Sequence, residues 1–171
     1  ESSHHAALHG LYFPLKFDYA QPSKTMLNLP FNICPKTLTR LGTDYSQVEA
    51  LYEKYRSDLT SVCDEMAQVR ARILAGGYSA DFSHGEAEIL YLLVRETQPE
   101  TIVEISPCFG YSTNYILAAL THNKKGKMTS YEMTESTNGI PTEKVIRGHL
   151  SSKWDHARWS IQIGDASKAD I

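Results

Sequence analysis

The sequence predicts an α/β fold: the N-terminal portion of a doubly wound parallel sheet, preceded by an extended arm and a long helix. Two observations predict it. Residues 101–163 alternate short β-rich runs with helical stretches, the βαβ order that builds parallel sheets. Upstream of them, proline-rich aromatic sequence gives way to a long run of apolar residues at three- and four-residue steps, the period of an amphipathic helix.

The arm occupies residues 1–44. Four of the seven prolines, Pro14, Pro22, Pro30 and Pro35, fall in it, each removing a backbone donor and biasing its predecessor toward extended geometry. It also holds Leu11, Tyr12, Phe13, Phe17, Tyr19, Leu27, Leu29 and Phe31, enough apolar surface to require a folded body or a partner to lie against. Residues 45–80 are expected as one helix, opened by a capping box of Ser46 and Glu49 and carrying Val48, Leu51, Tyr52, Tyr55, Leu59, Val62, Met66, Val69 and Ile73 as its stripe. Gly76 and Gly77 end it. The stripe is read as facing the core, with an oligomer contact as the alternative.

The third region is residues 81–171. A helix is expected from about Gly85 to Glu96, closed by Pro99, then a strand Thr101–Ile105, a helix Ser112–Leu120, and a strand Lys127–Glu132. A helix after Pro141 carries Val145, Ile146 and Leu150 on its apolar side, and Trp159–Ile163 forms a third strand.

Bulk properties exclude several classes. The chain has 171 residues, a net charge of −3, 42% hydrophobic and 22% charged residues. No field of that sign gathers a polyanion, so nucleic acid is not an expected partner. No run reaches the roughly eighteen apolar residues of a membrane span. Three widely spaced cysteines, Cys34, Cys63 and Cys108, form no C-x-x-C, and with no targeting pattern in Glu1–Gly10 a reduced, cytoplasmic setting is expected.

The chemistry concentrates at the strand ends. Ile102-Val103-Glu104-Ile105-Ser106-Pro107-Cys108-Phe109-Gly110-Tyr111-Ser112-Thr113 is an apolar strand with an acid near its end, a tight turn with one glycine, and hydroxyls opening a helix. Such a turn offers backbone N–H groups and a positive helix end to a carboxylate or phosphate. Glu132 lies 22 residues beyond Gly110 at the end of the second strand, where an acid can accept from both hydroxyls of a ribose. The third strand ends in Gly164-Asp165-Ala166, and a carboxylate there can accept from an adenine amino group.

These residues resemble the class I S-adenosylmethionine-dependent methyltransferases, and within them the catechol-type small-molecule O-methyltransferases. The likeness runs from about Phe82 to Ala166, roughly half the chain. It implies a Rossmann-like domain with S-adenosylmethionine as cofactor and a small-molecule acceptor of the methyl group. It also implies that Glu104 lies beneath the methionine part, that Tyr111 and Ser112 hold its carboxylate, and that Glu132 holds the ribose. Met133 would pack near the adenine, with Asp165 or Ala166 at its rim, while Phe82 and Ser83 match a segment closing over the methionine end. Ser106 departs from the pattern, standing where the family has glycine for close backbone approach; this would weaken binding or displace the turn.

A dinucleotide-binding protein that uses nicotinamide cofactors is one alternative, although two of the three glycines of a G-x-G-x-x-G turn are missing. Another is a non-catalytic binding or scaffold subunit. His84 is a weak candidate for a general base and otherwise a helix-flanking residue. Cys108 reads as a small packing residue, and His4, His5 and His9 as a solvated tail. In the related enzymes a metal is held by acids after the fourth strand, a part not in this sequence, so no metal is expected. The first strand is central in the family's seven-stranded sheet, so a second polypeptide or a continuation is expected to complete this one.

Overall fold

The computed structural model describes residues 43–80 and 84–168. The expectations for the arm before residue 43, and for Phe82 and Ser83, lie outside them. The described elements are, in order, α1 (Tyr45–Lys54), α2 (Arg56–Ala75), α3 (His84–Thr97), β1 (Thr101–Ile105), α4 (Tyr111–Asn123), β2 (Lys127–Glu132), β3 (Ser136–Thr137), β4 (Ile140–Pro141), α5 (Thr142–His149) and β5 (Trp159–Ile163). Short 3₁₀ turns, His156–Arg158 and Ala166–Lys168, flank β5. No described helix is long and apolar enough to cross a membrane.

The long helix differs from expectation in two ways. Its N-cap is Asp44, whose carboxylate accepts the Gln47 N–H at 2.9 Å and the Ser46 hydroxyl at 2.8 Å. The helix thus starts two residues earlier, with a carboxylate taking the Gln47 amide, whereas a Ser46–Glu49 box would have served those of Glu49 and Ser46. The helix is also divided at Tyr55, which leaves helical geometry at φ −109° and ψ 14°. There the Tyr55 hydroxyl donates to Glu96 at 2.8 Å and its ring lies 4.7 Å under the Arg95 guanidinium. The stripe does face the core: Val48, Tyr52, Leu59, Val62, Met66, Val69 and Ile73 are all buried. Arg95 also pairs with Asp58 at 2.7 Å, tying α2 to α3.

Strands β1, β2 and β5 form one parallel sheet in the order β1-β2-β5, a Rossmann-like α/β arrangement. Register places Ile102 beside Met128 and Met128 beside Trp159, with Glu104 beside Ser130 and Ser130 beside Ile161. Helices α4 and α5 lie over this face: Ser112 and Thr113 of α4 reach Glu104, and Arg147 of α5 lies 4.9 Å over the Trp159 ring. On the opposite face Ile105, Ser160 and Gln162 are exposed. Gly126, at φ +81°, lets the entry to β2 pass close to β1; a Cβ there would stand 2.3 Å from the Pro99 carbonyl oxygen.

The hairpin of β3 and β4 has no counterpart in the sequence reading. Asn138 and Gly139 make its two-residue turn at φ +52° and +76°, the left-handed pair that the asparagine–glycine dipeptide favours.

Candidate functional site

Three strands end on the same side of the sheet, and two clefts open there. The first, of about 130 Å³, is lined by Ser79, Ala80, Ser106, Pro107, Cys108, Phe109, Tyr111 and Ser112. The second, of about 310 Å³, is lined by Ile105, Ser106, Tyr131, Glu132, Met133, Gly164, Asp165, Ala166 and Ser167. Ser106 borders both.

The turn between β1 and α4 is built from alternating left-handed residues, Ser106 at φ +60°, Cys108 at +51° and Gly110 at +85°. That alternation curves the backbone, and the turn leads directly into the N-terminus of α4. The Ser106 N–H donates to the Tyr131 carbonyl at 2.8 Å and the Gly110 N–H to that of Pro107 at 2.8 Å, so the turn is anchored to β2 and closed on itself. Left-handed geometry also turns the Cys108 side chain out. It is exposed, rather than packed as expected, with its sulfur 3.7 Å from the Ser106 hydroxyl.

Glu104 lies beneath this turn and is almost wholly enclosed. Its carboxylate accepts the hydroxyls of Ser112 at 2.7 Å, Thr113 at 2.8 Å and Ser130 at 2.6 Å. Ser130 in turn accepts the Trp159 indole N–H at 2.9 Å, so one acid joins β1, β2, β5 and α4. Burial pushes its pKa above the usual carboxylate value against the pull of the three hydroxyls. Ser112 is thereby occupied with Glu104, while Tyr111, buried, keeps its ring 5.4 Å from the Arg70 guanidinium.

At the second strand end Glu132 is 8% exposed, and its Oε1 accepts the Thr134 N–H at 3.0 Å. The Gly164 N–H donates to the Glu132 carbonyl at 2.9 Å, bringing the end of β5 beside that of β2. Met133, Ile105 and Ile163, at 76%, 66% and 42% exposure, leave apolar side chains open around it. Asp165 accepts the Ser167 N–H at 3.0 Å and its hydroxyl at 2.7 Å, contacts that hold its carboxyl low. It caps the last 3₁₀ turn, beside Ala166 at the cleft rim.

Of the residues singled out in the sequence, Ser106, Tyr111 and Ser112 therefore meet at the first cleft and Glu132, Met133, Asp165 and Ala166 at the second. Glu104 and Gly110 support the wall between strand and helix. His84 opens α3. The sequence reading gives no site role to Ser79 and Ala80, which carry no motif and enter from the linker after α2, nor to Ile105, Pro107, Phe109, Tyr131 and Ser167, each next to a residue it does assign.

Fold and site together define a Rossmann-like α/β domain with a divided cleft at the carboxyl ends of its parallel strands. No protein-family model matches the chain, and no curated protein does. A solved structure described as a "putative O-methyltransferase from Klebsiella pneumoniae" is similar to it at 26% identity and a TM-score of 0.49, over 60% of this chain and 44% of that one. The match thus spans less than half of that protein.

Proposed function

We propose that this chain is the cofactor-binding part of an S-adenosylmethionine-dependent methyltransferase acting on an oxygen or nitrogen of a small-molecule acceptor. The observation that carries the reading is the pair of clefts meeting at Ser106, one beside a turn of alternating left-handed residues that leads into a helix N-terminus and one beside Glu132. An amino-acid carboxylate and a nucleoside, joined through a short link, have that division of chemistry. Together the clefts fall within the roughly 300–1,000 Å³ of small-molecule sites.

In this reading the turn at residues 106–110 and the start of α4 receive the carboxylate. Glu132 accepts from the ribose hydroxyls, and Ile105 and Met133 cover the faces of the adenine, their exposed apolar surface being removed from water. The cofactor supplies an electrophilic methyl group. The chain contributes orientation, holding that group in near-attack geometry toward an acceptor.

The outer edge of β1 pairs with no strand among the described residues. An uncovered strand edge presents N–H and C=O groups that another strand can pair with, so we read this edge as completed by further polypeptide, either a continuation or a second chain.

Titration of the purified chain with S-adenosylmethionine, S-adenosylhomocysteine and NAD in a calorimeter tests the proposal. Binding of the first two and not the third supports it. Binding of NAD alone assigns a nicotinamide protein. Binding of none assigns a scaffold subunit, a reading favoured by the mutual satisfaction of Ser112 and Glu104.

A further inference from the structure

The walls of the first cleft are held from behind by the C-terminal turn of α5. His149 is buried, and its Nδ1 stands 3.1 Å from the Phe109 carbonyl oxygen. A carbonyl only accepts, so Nδ1 carries the proton. The His149 ring meets Tyr78 edge-on at 5.5 Å, and Tyr78 stacks on Phe109 at 4.7 Å. Asn114, fully buried, donates from Nδ2 to the Gly110 carbonyl at 2.7 Å and to that of His149 at 3.3 Å, while its Oδ1 accepts the Ser151 N–H at 2.9 Å.

These bonds act on two consecutive peptide planes. A peptide unit is rigid, so fixing its carbonyl fixes the N–H on its other side. His149 fixes the plane between Phe109 and Gly110, whose N–H closes on Pro107. Asn114 fixes the next plane and so the direction of the Tyr111 N–H. Because Gly110 borders this plane and, as glycine at φ +85°, can equally take a negative φ, the plane between Phe109 and Gly110 has an alternative, flipped orientation within reach; in it the carbonyl would take the direction of the present N–H, into the turn, and repel an anion.

We propose that His149 is a positioning residue for the amino-acid end of the cofactor: through the Phe109 carbonyl it keeps the turn at residues 106–110 in its anion-receiving orientation. This rests on the cofactor reading above and assigns His149 to one of the two clefts.

The test compares His149→Phe, which keeps a ring against Tyr78 but loses the donor, with His149→Asn, whose amide nitrogen replaces Nδ1. Each is titrated with S-adenosylhomocysteine and with adenosine, and amide hydrogen exchange is followed without ligand. In His149→Phe the affinity for S-adenosylhomocysteine should fall about tenfold, the worth of one such bond, with adenosine binding held within about twofold. His149→Asn should restore the first value. Exchange should quicken at residues 108–112 and not in β5. Equal losses for both ligands, with faster exchange in β5, would reduce His149 to a general packing role; unchanged exchange at 108–112 would overturn the proposal outright. If the parent chain binds neither ligand, the cofactor reading fails while the exchange result still decides whether His149 holds the turn.

Discussion

Replacing Ser106 by glycine tests the turn with a single atom group. Ser106 is exposed at φ +60°, a backbone state that an L side chain occupies at a cost of about 1–2 kcal/mol. Its hydroxyl has one weak neighbour, the Cys108 sulfur at 3.7 Å, so removing it forfeits little. Against the relief stands the freedom glycine adds to the unfolded chain, about 0.4–1 kcal/mol. The balance is a stabilisation of about 0.5–1 kcal/mol, or a Tm rise of roughly 1–4 °C for a domain of this size. A thermal melt reads the stability and calorimetry the affinity for S-adenosylhomocysteine, which should hold or improve as backbone and ligand approach more closely. Gly110→Ala is the reverse experiment. It places a side chain at φ +85°, with its Cβ 3.0 Å from an Ile146 methyl, and should lower Tm. A fall in Tm for Ser106→Gly would refute the strain argument. A large loss of affinity with Tm raised would show instead that the hydroxyl itself touches the ligand.

Glu132→Ala should weaken S-adenosylmethionine binding by about 1.5–3 kcal/mol for each charged hydrogen bond lost, with the fold intact; an unchanged Kd in the same calorimeter removes Glu132 from the ribose. Stability should also depend on pH through Glu88, whose carboxyl accepts the Tyr52 hydroxyl at 2.6 Å and the Cys63 thiol at 3.5 Å and is pushed up chiefly by burial. The folded state then holds its proton more tightly than the unfolded chain, so this contribution is present below the usual value of 4.5 and is lost as pH rises toward the raised pKa. Glu88→Gln should therefore gain on the parent in urea midpoint as pH climbs through that window, and a constant difference would contradict the assignment. The edge of β1 that no described strand covers predicts that the chain by itself associates or lacks activity. A monomer of 19.2 kDa that turns over S-adenosylmethionine unaided, seen by light scattering and a methyl-transfer assay, would contradict it.

The three strands of the main sheet lie where the sequence put them, because β-rich runs bounded by glycine, proline and polar turns leave little choice of register at that length. Helix α4 is less well bounded: the sequence predicts Ser112–Leu120, and the helix runs one residue further upstream and three further downstream, Tyr111–Asn123. The hairpin of β3 and β4 escaped notice, since two residues per strand carry no period even when an asparagine–glycine turn joins them. The division at Tyr55 escaped for another reason. The apolar stripe runs through it without interruption, and the groups that Tyr55 meets there, Arg95 and Glu96, lie 40 residues downstream or more. His149 was equally invisible, its partner Phe109 being 40 residues upstream.

Glu104 shows how far a motif reaches. An acid near the end of the first strand is a feature of ligand sites in this kind of fold, and the resemblance assigned it to the methionine part. The structure supplies both carboxylate oxygens from within: Ser112 and Thr113 lie 8 and 9 residues on and Ser130 lies 26 on. A buried acid without donors would be costly, and three hydroxyls offset much of that cost. Hydroxyls rotate freely, however, and can serve either partner. Were a ligand's ammonium group to approach Glu104, Ser112 could release Oε1 and turn toward the first cleft, whose wall it already forms. The motif therefore marks an acid whose two oxygens are taken by its own neighbours, with Ser112 the one of them that also lines the first cleft.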